Sequence, residues 1–314
     1  MKSKFGLMMG GGGAKGAYQL GVLVALYEMN IFSKISYISG TSIGAINAFL
    51  CGTCKSITEH MEVWAMLEME DVFRKPREDK KGLYDVNHLK EILLSRFGYD
   101  ITNFHYEKEV YVTASKLKNN TVFSQIDLFN LEKVAFHLNK CDFPVDAVMA
   151  SSSIPIVFGS VKIGDDYYVD GGLTDQNPFH PILKNKVNCI FSVPLGLWVS
   201  KLSPGYYDYS RKAFLNIDFL APGLFGGDLL SELANGLNFT TKFKEKIYYI
   251  GYVYAKRLLE YCFAQHYLYY KDGLLCAKRF GKYKRVRLKL NEMPQIHKEA
   301  RILRKNGHVH IFQE

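Results

Sequence analysis

The sequence predicts an α/β fold in which a mostly parallel central sheet is flanked by helices. Short apolar stretches alternate with longer segments of helical spacing through the first half of the chain. Glycine-rich turns join two of these strand–helix pairs. With 314 residues, 48% of them hydrophobic, the chain can bury a large core. Alternating strands and helices are typical of a parallel sheet that is covered on both faces.

The predicted elements follow this alternation in chain order. Residues 5–9 form a buried strand, and 17–29 form a helix because Tyr18, Val22 and Leu26 share one side. The remaining strands are predicted at 35–39, 110–114, 122–126, 167–169 and 189–193, and the remaining helices at 43–50, 131–138 and 145–150. The carboxyl ends of parallel strands share one edge of the sheet, which is where open α/β sheets bind their ligands.

The composition changes near residue 200, so we expect a core domain of residues 4–200 and a C-terminal extension of residues 201–314. The extension is predicted to be helical and then basic, and to pack on the core. Helices are expected between 229 and 269, and an edge strand at 285–290 where charged and apolar residues alternate. Residues 271–314 hold twelve Lys and Arg against four Asp and Glu, which is a surplus of eight of the chain's nine net positive charges.

Two interpretations of this basic segment stay open. It is either a solvated face that packs on the core or a surface that attracts anionic lipid head groups. The aromatic segment 248–270 is likewise either a buried helix or an interfacial one. No nucleic-acid motif accompanies the basic residues, so no nucleic-acid partner is expected. Oligomeric state is not predicted.

The N-terminus and the cysteines indicate an ordinary intracellular chain. The apolar stretch at residues 5–9 is too short for a signal peptide, and no long uncharged window suits a transmembrane helix. Six cysteines include one C-x-x-C pair, Cys51 and Cys54, which supplies too few ligands for zinc. We therefore expect reduced thiols, no metal site and a cytoplasmic location.

The first motif is the glycine run after the first strand. Residues 11–16, GGGAKG, satisfy the dinucleotide fingerprint G-x-G-x-x-G but lack the Ser or Thr of a P-loop. The run also suits an oxyanion hole, because bare amides at the start of a helix attract an anion. Taken alone, it does not distinguish a nucleotide site from an oxyanion hole.

The second motif favours the oxyanion hole. Gly40-Thr41-Ser42-Ile43-Gly44 is a G-x-S-x-G sequence between a predicted strand and a predicted helix, the context of a nucleophile elbow. Gly40 and Gly44 permit the sharp turn that exposes the Ser42 hydroxyl. A dinucleotide site would instead need an acidic residue at the end of this strand, where Ser39 and Gly40 stand.

A serine nucleophile needs a base, and the histidines do not supply an obvious one. His180 is the least implausible of the nine. Asp170 is a better candidate, because it ends a short strand and Gly171 and Gly172 allow a sharp turn after it. An Asp-Gly dipeptide fits an ordinary β-turn equally well.

Together the three motifs resemble the patatin-like phospholipase family over about residues 4–200. Its pattern is a G-G-G-x-[RK]-G loop, a G-x-S-x-G elbow and a D-G-[GA] base, in this order. The segment ASSSIP at 150–155 and Asn177-Pro178 are also similar to the family. The resemblance implies a three-layer patatin-like fold and a Ser42–Asp170 dyad without histidine.

The resemblance further implies the roles of the glycines and the substrate. Gly11, Gly12, Gly13 and Gly16 form the oxyanion loop, in which the Gly12 and Gly13 amides hold the oxyanion. Lys15 either shapes this loop or faces solvent. The implied substrate is a phospholipid or lysophospholipid, cleaved without a cofactor. The alternative is a catalytically silent lipid-binding or scaffold protein of the same fold.

Overall fold

The computed structural model describes residues 3–67, 86–96, 106–118, 130–155, 157–196, 209–224 and 235–307. The strands are Phe5–Met9 (β1), Ile35–Thr41 (β2), Glu109–Leu117 (β3), Leu131–His137 (β4), Val161–Ile163 (β5), Asp166–Val169 (β6), Cys189–Val193 (β7), Leu215–Asp218 (β8), Leu268–Lys271 (β9), Leu274–Ala277 (β10) and Lys284–Val286 (β11). The helices are Gly16–Glu28 (α1), Ile43–Thr53 (α2), Ile57–Met66 (α3), Val86–Arg96 (α4), Pro144–Ser151 (α5), Phe179–Leu183 (α6), Thr241–Ala264 (α7) and Met293–Lys305 (α8).

Nine of the described strands form one mixed sheet. Its order is β11-β8-β7-β1-β2-β3-β6-β5, and β4 also pairs with β3. The strands from β11 to β3 are parallel to their neighbours along this order. The pairs β3–β4, β3–β6 and β5–β6 are antiparallel. The predicted α/β architecture with a mostly parallel sheet is therefore confirmed, with antiparallel strands added on one side.

The prediction of a helix at 131–138 is wrong. Residues Leu131–His137 form β4, which pairs with β3 along seven residue pairs from Tyr111↔His137 to Leu117↔Leu131. Leu131, Val134 and Leu138 follow helical spacing, but pairing with β3 overrides this local pattern. The strand predicted at 122–126 lies outside the described residues.

In its described residues, the extension adds two strands to the main sheet, a separate antiparallel pair of β9 and β10, and the helices α7 and α8. β8 extends the sheet beyond β7, and β11 forms its edge. The edge strand predicted at 285–290 is therefore present, but it covers only Lys284–Val286. Helix α7 packs along α1 and is buried over much of its length. This supports the prediction that segment 248–270 is a buried helix and not an interfacial one. The two helices touch through their backbones, because a Cβ at Gly21 would meet the Tyr248 carbonyl and one at Gly251 would meet the Tyr18 carbonyl.

All six cysteines are free thiols, as expected. Three of them are buried and three are partly buried. Within the described ranges, no helix is both long enough and apolar enough to cross a membrane.

Candidate active site

Strands β2 and β6 meet end to end along one side of β3, and this arrangement brings Ser42 and Asp170 together. β2 runs parallel to β3 and ends at Thr41, which pairs with Thr113. β6 runs in the opposite direction and ends at Val169, which pairs with Ser115. The residue that follows each strand therefore lies in the short space between the two strand ends. Although Ser42 and Asp170 are 128 positions apart, the Ser42 hydroxyl donates a hydrogen bond of 2.7 Å to Asp170 Oδ2.

Ser42 lies on a strained turn between β2 and α2. Its backbone has φ 56° and ψ −129°, a conformation that side-chain-bearing residues rarely adopt. Close backbone contacts surround the turn: a Cβ at Gly40 would meet the Gly44 carbonyl, and one at Gly44 would meet the Met9 carbonyl. The two glycines therefore allow the turn to form against β1, as the G-x-S-x-G pattern predicts.

Asp170 is buried, with 6% of its surface exposed. Its Oδ2 accepts from the Ser42 hydroxyl, and its Oδ1 accepts from the Gly172 amide at 2.7 Å. Burial raises the pKa of Asp170 from 3.8 to about 6, although these two hydrogen bonds lower it. A Cβ at Gly171 would meet the Thr113 carbonyl, so the turn after Asp170 packs tightly against β3. The carboxylate is thus basic enough to accept a proton near neutral pH.

The glycine loop between β1 and α1 lies beside this pair. A Cβ at Gly11 would be 3.2 Å from Ser42 Cβ. The Gly11 amide donates to the Gln176 carbonyl at 3.1 Å, and the Gly16 amide caps the short 3-10 turn that precedes α1. The amides of Gly12 and Gly13 have no acceptor within the described part of the chain. These two amides are therefore available to donate to a ligand.

Lys15 is buried, with 3% of its surface exposed, so the interpretation that it faces solvent is wrong. A Cβ at Gly12 would be 3.1 Å from Lys15 Cε. The lysine stem therefore covers the glycine loop and helps to fix its shape.

Three consecutive serines at the end of α5 support both members of the pair. Ser151 Oγ accepts from the Ser42 amide at 3.0 Å and donates to the Thr113 carbonyl at 2.6 Å. Ser152 Oγ donates to the Ser42 carbonyl at 3.1 Å, and the Ser153 carbonyl accepts from the Asp170 amide at 2.8 Å. The run of serines in ASSSIP was visible in the sequence, but its role as a brace between two distant turns depends on the fold.

A buried polar network supports the back of the glycine loop. Gln19 Nε2 donates to the carbonyls of Gly10 and Val193 at 2.8 and 3.1 Å. Asn47 donates to Gln19 Oε1 at 2.8 Å and accepts from Trp64 Nε1 at 2.7 Å. Sequence reasoning missed this network. A glutamine among the apolar residues of α1 was the signal that could have shown it.

No histidine among the described residues is hydrogen-bonded to this pair. His60 lies 3.0 Å from the Asn47 oxygen in the buried network, and burial lowers the pKa of His60 to about 3. His180 lies on α6, and burial lowers its pKa as well. The Ser42 hydroxyl is directed to a carboxylate instead.

An α/β sheet that presents a serine on a strand-to-helix turn, beside bare amides, defines a protein of the nucleophile-elbow class. The particular family follows from the comparison with family models. The chain belongs to the patatin-like phospholipase family, whose model matches residues 7–183.

Two curated relatives have names that describe lipid hydrolysis. Calcium-independent phospholipase A2-gamma of Mus musculus is 28% identical over 231 residues, which are 64% of this chain and 28% of the mouse protein. The probable lipid hydrolase 463L of Invertebrate iridescent virus 6 is 26% identical over 197 residues, which are 58% of this chain and 65% of the viral protein. The chain therefore spans less than two thirds of the length of either relative.

Solved structures include similar folds at low identity. VipD from Legionella pneumophila matches with a TM-score of 0.42 and 12% identity, over 83% of this chain and 67% of VipD. ExoU, solved in its complex with SpcU from Pseudomonas aeruginosa, matches with a TM-score of 0.41 and 15% identity, over 98% of this chain and 60% of the solved chain.

Proposed function

We propose that this protein is a serine lipid acyl hydrolase of the phospholipase A or lysophospholipase type. The observation that carries the proposal is the 2.7 Å hydrogen bond from the Ser42 hydroxyl to the buried Asp170 carboxylate, beside two amides without acceptors among the described residues. The substrate is a carboxylic ester of a phospholipid or lysophospholipid, in keeping with the names of the relatives. Catalysis needs no cofactor in this proposal.

The first half-reaction forms an acyl-enzyme. Ser42 Oγ attacks the ester carbonyl carbon while its proton passes to Asp170 Oδ2, and the carbonyl π electrons move to the oxygen. The Gly12 and Gly13 amides donate to this oxyanion. When the tetrahedral intermediate collapses, the C–O bond to the glycerol oxygen breaks, and the proton on Asp170 passes to the leaving alkoxide. The acyl group stays on Ser42.

The second half-reaction releases the fatty acid. Asp170 accepts a proton from a water molecule that attacks the acyl carbonyl, and the same two amides hold the second oxyanion. Collapse of this intermediate breaks the Ser42 ester bond and returns the proton to Ser42 Oγ. Residues 11 and 16 shape the loop in this mechanism, since their own amides are already bonded.

We propose that this enzyme meets its substrate at a membrane. We propose a cytoplasmic protein, built from a hydrolase domain of residues 4–200 and an extension of residues 201–314, that contacts membranes peripherally through basic residues of the extension. A polybasic surface gains about 1 kcal/mol of binding energy per Lys or Arg near an anionic bilayer. A nucleic-acid partner is not proposed.

The test combines covalent labelling with product analysis. A fluorophosphonate probe reacts with an activated serine, so we expect one adduct, mapped by peptide mass spectrometry to Ser42. The same protein should release free fatty acid from phospholipid vesicles. No adduct and no fatty acid would contradict the proposal and favour the silent lipid-binding protein, whereas an adduct at another serine would contradict the dyad.

A further inference from the structure

A second concave site lies at the same edge of the sheet, beyond β7. It is a cavity of about 210 Å³ between the carboxyl ends of β7 and β8 and the edge strand β11. Its lining includes Asn177, Asn216, Asp218, Arg285 and Arg287. None of these residues takes part in the mechanism proposed for Ser42 and Asp170. The cavity is therefore distinct from the Ser42–Asp170 pair.

Two buried amide oxygens in this lining have no hydrogen-bond donor within the described residues. They are Oδ1 of Asn177 and Oδ1 of Asn216, and the two side chains are 8% and 2% exposed. The Asn216 amide nitrogen is engaged, since it donates to the Tyr283 hydroxyl at 3.2 Å. Buried acceptors are normally satisfied, because leaving one unpaired is energetically costly. Both oxygens therefore lack a donor, which the hydroxyl or N–H groups of a ligand would supply.

The same cavity carries positive charge at its rim. Arg285 binds the buried Asp218 carboxylate, which holds this guanidinium in place. Arg287 follows the end of β11, is exposed, and has no acidic partner among the described residues. One acidic and two basic side chains leave the lining with a net positive charge. An anionic group, and phosphate in particular, suits a guanidinium of this kind.

The glycine loop lies between this cavity and Ser42, and the distance across it is short. A Cβ at Gly10 would be 2.5 Å from Asn177 Oδ1 and 3.2 Å from Pro194 Cα, while one at Gly11 would be 3.2 Å from Ser42 Cβ. Consecutive Cα atoms are 3.8 Å apart, so the cavity wall is within roughly 13 Å of the nucleophile. A glycerophospholipid joins an ester carbonyl and a phosphodiester through its glycerol carbons, so it carries a group suited to each of the two sites.

We infer that this cavity binds a phosphate group that bears hydroxyls, of the glycerol phosphate type, and that it selects substrates with such a head group. Arg287 contacts the phosphate, and the amide oxygens of Asn177 and Asn216 accept from the hydroxyls. The inference rests on the proposed lipid hydrolase function, since it assigns the head group of that substrate. Phosphatidylglycerol is the simplest lipid with this chemistry, and free sn-glycerol 3-phosphate carries it without acyl chains.

The first arm of the test measures binding to the full chain by isothermal titration calorimetry. The probes are sn-glycerol 3-phosphate, inorganic phosphate and glycerol. We expect sn-glycerol 3-phosphate to bind more tightly than either of the others and Arg287→Ala to weaken it about tenfold, the loss typical of a charge-assisted hydrogen bond. The matched control is Arg301→Ala, which removes the same charge from an exposed position on α8 and should bind as the wild type does.

The second arm measures turnover of phosphatidylglycerol and phosphatidylcholine in otherwise identical vesicles. Each rate is divided by the same protein's turnover of a short-chain nitrophenyl ester, which has no head group and reports on the dyad. We expect Arg287→Ala to lower the ratio of phosphatidylglycerol to phosphatidylcholine turnover about tenfold, for the same reason, and Arg301→Ala to leave it unchanged.

The outcomes separate this inference from the proposed function. Absence of nitrophenyl ester turnover in the wild type would contradict the hydrolase itself, whatever the cavity binds. Equal affinity for sn-glycerol 3-phosphate and inorganic phosphate, or no saturable binding, would overturn the inference and leave a cavity filled by water. Binding of the free compound with an unchanged lipid ratio in Arg287→Ala would overturn the assignment to a lipid head group.

Discussion

Two serine–aspartate pairs lie at the carboxyl edge of the same sheet, and their surroundings differ in one decisive respect. Ser42 Oγ donates to Asp170 at 2.7 Å, and Ser192 Oγ donates to Asp218 at 3.2 Å. Both aspartates are buried, with 6% and 1% of their surfaces exposed. Asp218 is bound by Arg285, whereas Asp170 has no cationic partner among the described residues.

The difference shows that a serine next to an aspartate does not by itself define a reactive site. The Arg285 guanidinium binds the Asp218 carboxylate and neutralises its charge. Asp170 is buried without a cation, and burial raises its pKa to about 6. This carboxylate therefore binds a proton more readily than an exposed one does. The backbone differs too, because Ser42 is on a strained turn with φ 56° and Ser192 is inside a regular strand. The comparison suggests experiments on matched variants.

The largest expected effect separates the two hydroxyls. Ser42→Ala should lower kcat for a short-chain nitrophenyl ester by at least about 10⁴-fold, since loss of a nucleophile leaves only the effects of binding. Ser192→Ala should keep kcat within about twofold, because a hydroxyl next to a neutralised carboxylate takes no part. Steady-state kinetics of both purified variants checks this. Equal losses in the two would remove the distinction between the pairs.

The next effect concerns the bare amides beside the first pair. Gly12→Ala should lower kcat by about 10²–10³-fold, the loss typical of an oxyanion donor. The reason is that the added Cβ would lie 2.7 Å from Leu195 Cβ and displace the loop. Gly281→Ala is the control, since a Cβ there meets nothing within 4 Å. Wild-type kcat in Gly12→Ala would argue against a role for this amide.

The pH profile should follow Asp170. The carboxylate must be ionised to accept the Ser42 proton, and its pKa is about 6. We therefore expect kcat/KM to rise about tenfold per pH unit below pH 6 and to level off above it. Ester hydrolysis from pH 4.5 to 8 measures this, with circular dichroism at each pH to confirm that the protein stays folded. A profile that is flat across pH 6 would contradict Asp170 as the base.

Stability should respond in opposite directions at the two aspartates. Folding raises the pKa of Asp170 from 3.8 to about 6, so the fold favours the protonated form, and the stability that this gives is lost as the pH rises through 6. At pH 7.5, Asp170→Asn should therefore raise the free energy of unfolding by up to about 3 kcal/mol. The gain should vanish near pH 4.

Asp218→Asn should instead lower the free energy of unfolding by about 1–2 kcal/mol, because it leaves the partly buried Arg285 without its carboxylate. Urea unfolding at pH 7.5 and at pH 4 compares the two variants. Destabilisation by Asp170→Asn at pH 7.5 would contradict the idea that this carboxylate is held at the expense of stability.

The smallest effect tests the two serine backbones. At φ 56°, Ser42→Gly should be more stable than Ser42→Ala by about 1 kcal/mol, because glycine has no Cβ to clash in this region. In the strand at position 192 the order should reverse by about 0.5–1 kcal/mol. Thermal unfolding of the four variants checks this, and the same order at both positions would mean that the Ser42 turn is not strained.

The sequence predicts much of this site because its motifs coincide with local structure. The G-x-S-x-G pattern defines a strand–turn–helix unit by itself, since each glycine is needed where backbones approach within a few residues. The family resemblance then pairs Ser42 with Asp170. The meeting of β2 and β6 on one side of β3 was not predictable, because it depends on an antiparallel strand pairing that short apolar patterns do not encode.

The errors have the same origin. β4 carries helical spacing, so its strand pairing with β3 becomes evident only when the partner is known. Asp218 and Arg285 were not recognised, since a carboxylate and a guanidinium far apart in the chain give no local signal. Local patterns thus predict turns and single elements, whereas pairing between distant residues determines which aspartate is neutralised.

The contact between Gly21 on α1 and Gly251 on α7 bears on how this protein can be dissected. The family match ends at residue 183, but α7 lies directly on the helix that starts at the glycine loop. An expression fragment that stops at the family boundary would leave the apolar side of α1 bare and invite aggregation. Laboratory work on the nucleophile should therefore keep both glycine-bearing helices in one polypeptide.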